Sequence, residues 1–311
     1  VIAERAALVE AARVSIARGS KSFAAASTLF APDVRERAWL LYAWCRACDD
    51  LVDGQDHGGE RVAVTDAQAR VARVRALSVA ALAGQPTGDP AFDALGVVAA
   101  ETRLPPAYVH DLIDGFQLDA DDWRPESEDD LYRYCYHVAG AVGCMMAIVM
   151  GVPPEDDATL DRACDLGLAF QLANIARDLD EDARAGRCYL PQAWLAQAGV
   201  AADAVMAPAN RDALVAMARR LADRAALHED SARVGTRALS WRSAWAVLAA
   251  AGIYGDIART VARRGAHAWD RRVTTGKAAK LAWIARAAAQ ATRRHAIPAT
   301  PRDPLLWTRP R

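Results

Sequence analysis

The sequence predicts an all-α protein, and three observations carry that reading. Apolar residues recur at helical spacing in most segments, strand-like alternation is almost absent, and breaks bearing Gly or Pro cut the chain into helix-length pieces. With 311 residues, 53% of them hydrophobic, the chain is long and apolar enough to bury a large core.

The breaks fall at Gly54–Gly59, Gly84–Pro90, Pro105-Pro106, Gly151–Pro154, Gly186–Pro191, Pro208 and Gly276. They imply roughly ten helices. Residues 1–296 read as one all-α domain. Residues 297–311 carry four prolines and read as a tail laid on the surface. The first ten residues, VIAERAALVE, mix charge with apolar residues, so no signal peptide is visible. The chain begins at Val1 rather than at a methionine, which reads as trimming or as a cut in a longer chain. Val138–Pro154 is the longest uncharged stretch, yet its apolar part is short for a bilayer span. It reads as a core helix whose Gly140 and Gly143 permit close packing.

The formal net charge of −1 provides no global field for nucleic acid. Most of the six cysteines sit in apolar, helix-like surroundings, where reduced, buried thiols are expected. Cys45 and Cys48 form a C-x-x-C without a βαβ context or a second pair, which argues against redox or zinc use.

D-x-x-x-D spacing places two carboxylates on one helix face. It occurs at Asp49/Asp53, Asp178/Asp182, Asp89/Asp93, Asp157/Asp161 and Asp161/Asp165, so surroundings must discriminate. The last two pairs follow Pro153-Pro154 at a helix start, where acid complements the macrodipole. Asp89/Asp93 lies in a turn-rich region, and all three pairs read as structural. Asp49, Asp50 and Asp53 just before Gly54, and Asp178, Asp180, Glu181 and Asp182 just before Gly186, lie instead at the negative poles of helices. Carboxylates crowded there repel each other and the dipole, and a divalent cation with oxygen ligands would offset both. Tyr42 and Arg46 share the face of Asp49, while Gln171, Asn174, Asp178 and Asp182 form a ladder along one helix side. A polar stripe flanked by apolar residues suits a cavity wall. Asp114, Asp119, Asp121 and Asp122 form another acidic cluster; their irregular spacing favours a structural or solvated role, with metal binding the alternative.

These segments resemble the squalene/phytoene synthases. The resemblance is carried by Tyr42-Ala-Trp-Cys-Arg46, Asp49-Asp50-Leu-Val-Asp53, Gln171-Leu-Ala-Asn174-Ile-Ala-Arg177-Asp178-Leu-Asp-Glu-Asp182, Ser20-Lys21-Ser22-Phe23, Tyr134-Cys-Tyr136-His-Val-Ala-Gly140-Ala-Val-Gly143 and Gly186-Arg187-Cys-Tyr189-Leu-Pro191. It spans about Gly19 to Lys280. It implies an isoprenoid-synthase (terpenoid synthase) fold around a central cavity and a prenyltransferase activity, with Mg²⁺ or Mn²⁺ as cofactor and no NADPH.

The residue roles implied are as follows. Asp49, Asp53, Asp178 and Asp182, with Asn174, would hold metal. Ser20, Lys21, Tyr42, Arg46, Gln171, Arg177, Tyr189, Tyr254 and Arg272 would bind substrate, with Arg271 leaving the register of Arg272 open. Tyr134 would lie near the reacting carbons. Phe23, Val138, Ala139, Val142, Met146, Leu166 and Phe170 would line the cavity.

The resemblance is strongest to the branch that couples two geranylgeranyl diphosphates head to head in carotenoid biosynthesis. The alternatives are C30 coupling of farnesyl diphosphate and a non-catalytic family member. Small Ala24 and Ser27 favour a long tail, and bulky Trp39 opposes it. The expected place is the cytoplasm, with peripheral contact at the inner membrane and with neighbouring pathway enzymes, since substrate and product are greasy.

Overall fold

The computed structural model describes residues 4–19, 24, 26–54, 66–296 and 298–311, apart from the side chain of Asp53. No strand occurs among the described residues, as the periodicity requires. The chain divides into two compact units, Val1–Asp121 with Cys144–Asp157, and Asp122–Gly143 with Ala158–Arg311.

The first unit is built on α1 (Arg5–Gly19), α2 (Pro32–Asp53), α3 (Ala67–Leu82), α4 (Pro90–Thr102) and α5 (Pro106–Ala120). Pro32, Pro90 and Pro106 each open a helix, at the position where a missing N–H costs nothing. α2 is the central helix, packing on α1, α3 and α4. It buries Leu40, Leu41, Trp44 and Cys48. The Trp44 indole donates to Ser78 Oγ on α3 at 3.1 Å, which satisfies its one polar atom in the core. Asp89 and Asp93 are structural, as expected. Asp89 caps α4 by accepting from Ala91 N, and Asp93 accepts from the Thr87 backbone and hydroxyl.

The second unit holds α6 (Glu128–Cys135), a π-turn (Tyr136–Gly140), α8 (Asp157–Arg184), α9 (Gln192–Ala198), α10 (Arg211–Gly235), α11 (Trp241–Arg264) and α12 (Lys277–Thr292). α7 (Ala141–Val149) carries the chain from the π-turn back to the first unit. A capping box between Ser127 and Asp130 starts α6. The predicted close packing is present. A Cβ on Gly167 of α8 would lie 2.3 Å from the Ala139 carbonyl oxygen, and one on Gly143 would lie 2.4 Å from that of Ala163.

None of the six cysteines forms a disulfide, and burial pushes the thiols of Cys45, Cys48, Cys135 and Cys188 up, against redox use. Among the described residues no helix is long and apolar enough to cross a membrane. Asp114 pairs with Arg75 at 2.8 Å, and Asp121 accepts from Gln68 and Gln117, so two members of that acidic group have structural partners.

Asp161 and Asp165 differ from their expected role. They are buried, and their charge answers arginines of the tail rather than the helix dipole. Arg302 grips Asp165 through two nitrogens at 2.7 and 2.8 Å, and Arg309 and Arg311 pair with Asp161. The tail is therefore fastened through buried charge, with Arg309 only 6% exposed.

Candidate active site

In the first unit the site residues lie on the last turns of α2. The helix stops where Gly54 adopts φ 64° and donates its N–H to the Asp50 carbonyl, a left-handed stop that glycine takes without a Cβ penalty. Arg70 of α3 donates to the Leu51 carbonyl at 3.0 Å, a cation at the negative pole. Arg46 sits 3.6 Å from Asp49 and 4.0 Å from Asp50, with its guanidinium 5.9 Å from the Tyr42 ring centre. Burial raises the Tyr42 phenol, and Arg46 pulls it the other way. The Tyr42 hydroxyl lies 2.5 Å from where a Cβ on Gly19 would stand, so any larger residue at the end of α1 would displace it.

Arg46 Nε is buried and has no acceptor among the described residues. A buried guanidinium donor with unused capacity, one turn from a carboxylate, fits a metal–diphosphate group. Asp53 is the last residue of α2, and its side chain lies outside the described residues, as do Ser20, Lys21 and Phe23. Trp39 donates to Ser27 Oγ at 2.8 Å, so the two opposing cues for tail length belong to one hydrogen-bonded pair.

In the second unit α8 carries the ladder. Asn174 Nδ2 lies 3.5 Å from Gln171 Oε1, one turn below Asp178. The helix ends in a Schellman motif, as Gly186 predicts. Gly186 has φ 74° and donates to Ala183, and Arg187 N–H donates to the Asp182 carbonyl at 2.8 Å. The carboxylate repulsion expected here is already answered at Asp178 by two arginines. Arg177 donates through two nitrogens, and Arg272 approaches both carboxylate oxygens at 3.2 Å. Arg272 also lies 3.3 Å from Glu181.

The two arginines of the pair meet different partners. The Arg272 guanidinium faces Asp178, whereas Arg271 offers its carbonyl to Arg264. Trp269 fixes the segment by donating its indole N–H to the Ala176 carbonyl at 3.1 Å. Sequence reasoning missed Trp269 and Glu181 in this role, because their partners lie in another helix or segment. Tyr254 of α11 stacks on Phe170 with centroids 4.2 Å apart, one residue from Gln171. Tyr134 stacks on Tyr189 at 4.8 Å and on Trp123 at 6.0 Å. Arg124 donates to the Gly186 carbonyl at 3.3 Å, tying the Trp123 segment to the end of α8.

The apolar lining candidates among the described residues are half-buried. They are Val138 and Ala139 on the π-turn, Val142 and Met146 on α7, and Leu166 and Phe170 on α8. Each helix thus keeps one apolar stripe partly open.

Comparison with known proteins decides the family. The family model described as squalene/phytoene synthase matches residues 16–279. The chain belongs to the squalene/phytoene synthase family. It is 46% identical over 305 residues to a phytoene synthase of Pseudescherichia vulneris, covering 97% of this chain and 98% of that one. It is also 46% identical to a 15-cis-phytoene synthase of Enterobacter agglomerans, over 94% of this chain and 99% of that one. Among solved structures, a ligand-bound dehydrosqualene synthase gives a TM-score of 0.82 at 27% identity, covering 93% of this chain and 98% of that one. A squalene synthase from Alicyclobacillus acidocaldarius gives 0.74 at 26%, covering 84% and 95%. The all-α terpenoid-synthase-type fold expected of the family is the one present.

Proposed function

We propose that this chain is a prenyltransferase that couples two geranylgeranyl diphosphates head to head, through prephytoene diphosphate, to phytoene. The observation that carries the reading is the α8 face, where Gln171, Asn174, Asp178 and Asp182 line one side and Arg177 and Arg272 converge on Asp178. Near-full-length identity to proteins named phytoene synthase supports the C20 choice.

Asp49, Asp53, Asn174, Asp178 and Asp182 would hold Mg²⁺ or Mn²⁺, which when bound supplies positive charge to a leaving diphosphate. The chain's own cations do the same work at fixed places. Arg46, Arg177 and Arg272 would offer guanidinium forks suited to phosphate oxygens, and Tyr42, Tyr189 and Tyr254 would add hydroxyl donors. Ser20 and Lys21 would extend that set.

Loss of diphosphate from one substrate leaves an allylic cation; the double bond of the second attacks it, and loss of a proton closes the cyclopropane ring of prephytoene diphosphate. A second ionisation, rearrangement and proton loss complete the product. The half-buried apolar stripes and Tyr134 would keep water from those cations. No reduction is required, so no NADPH is expected.

Residues 1–296 would act as the catalytic domain. The chain would work in the cytoplasm, in peripheral contact with the inner membrane and with enzymes that consume its product. The test is product analysis by mass after C15 and C20 diphosphates are offered together with Mg²⁺. A C40 hydrocarbon with metal-dependent diphosphate release is expected. A C30 product would replace the substrate assignment, and absent or metal-independent release would end the enzyme reading.

A further inference from the structure

The tail does more than cover a surface. Arg302 lies at its centre, with its guanidinium bidentate on Asp165 and donating as well to the Trp307 carbonyl at 2.6 Å and to Thr308 Oγ1 at 3.0 Å. Asp165 is fully buried, and it also receives Ser231 Oγ at 2.5 Å and faces His228 Nδ1 at 2.8 Å. The His228 ring in turn meets Tyr132 edge-on at 5.3 Å. One buried carboxylate therefore joins the tail, α8, α10 and α6.

The fold that Arg302 imposes on the tail sets Trp307 against α6. Its indole N–H donates to Asp129 at 2.8 Å, and its ring packs on Tyr132 at 6.2 Å and Tyr136 at 5.8 Å. Positions 129, 132 and 136 are one helical face. Tyr134 lies on the opposite face, in its stack with Tyr189 and Trp123. The Tyr134 helix is thus held from both sides, and the turn that follows it is π-helical. A π-turn is an uncommon, locally costly geometry, so packing from outside must fix its register.

We propose that residues 298–311 are a positioning strap for the coupling site: Arg302, locked on Asp165, and Trp307, packed on Tyr132 and Tyr136, set where Tyr134, Val138 and Ala139 stand. The kinetic part of this inference rests on the coupling activity proposed above. Trp307 is a positioning residue, since it touches the back of the helix and not its Tyr134 face.

The test compares the full chain with Trp307→Ala, Trp307→Phe and Arg302→Met. Amide hydrogen exchange over 128–140 is measured beside Mg²⁺-dependent diphosphate release from geranylgeranyl diphosphate. Trp307→Ala is expected to exchange faster over 131–140 and to lose about tenfold in kcat with KM held within about twofold, the signature of misplacement rather than lost binding. Trp307→Phe should restore most of both. A folded Trp307→Ala with wild-type kcat, or with unchanged exchange over 131–140, overturns the proposal. If Arg302→Met fails to fold, the Trp307 pair decides. A wild-type chain that releases no diphosphate would end the proposed function instead, and the exchange comparison would then decide the strap by itself.

Discussion

Arg272 lies against Asp178 from 94 residues away, with Nε and Nη2 each 3.2 Å from a carboxylate oxygen. Arg177 holds the same carboxylate from the adjacent position. The acid proposed as a metal ligand is thus enclosed by two of the cations proposed to receive diphosphate. Arriving metal and diphosphate would exchange partners with a pair already in place, so neither charge need be stranded.

Asp178→Asn should therefore cost turnover without costing the fold. Its carboxamide oxygen still accepts from the arginines, but without the negative charge it is a much weaker ligand for a divalent cation. Diphosphate release should fall by about a hundredfold or more, while far-UV circular dichroism stays that of the parent. Unfolding of this variant would make the carboxylate structural.

Arg272→Lys should behave almost as poorly as Arg272→Met. The ammonium keeps the charge but not the fork that meets two oxygens at once. The expected result is a rise in KM for the prenyl diphosphate of about tenfold, with stability unchanged because the side chain is half exposed. A lysine variant with parental KM would mean that charge alone suffices.

Asp165 governs stability and its acid limit. Burial alone would raise its carboxyl, but hydrogen bonds from Arg302, His228 and Ser231 outweigh that and hold it below the usual carboxylate range. A carboxyl depressed on folding contributes stability that is present above its unfolded value of ~3.9 and is lost as pH falls through the folded value. Urea midpoints should hold steady above about pH 5 and decline below about pH 4. Asp165→Ala should remove about 3–5 kcal/mol at neutral pH, because Arg302 and His228 are left without their partner. Its midpoint should show less of the acid decline.

Gly167→Ala tests the close approach of α8 to the π-turn. The new methyl would meet the Ala139 carbonyl oxygen at 2.3 Å and Gly140 Cα at 2.7 Å, both backbone atoms that cannot swing away. A loss of about 1–3 kcal/mol in urea unfolding is expected, along with reduced turnover as Val138 and Ala139 move. A neutral result would show that the two segments separate easily.

Much of the site was legible because its signals are local. Helical spacing placed Asn174 and Asp178 on one face, and glycine after acid marked both helix ends, now seen as left-handed stops at Gly54 and Gly186. The acids before those stops, with Tyr42 and Arg46 a turn or two behind, were readable for the same reason. The family followed from the order of such local motifs.

The chain alone therefore determined its helical class, its helix ends and its family, since backbone hydrogen bonding and side-chain periodicity act over one or two turns. Which distant charge answers which acid was decided only in three dimensions. Asp161 and Asp165 carry the same spacing as Asp178 and Asp182, yet three tail arginines close on the first pair, while Arg177 and Arg272 meet Asp178. Desolvation makes a buried carboxylate take whatever cation the fold brings to it, and no spacing along the chain records which one arrives.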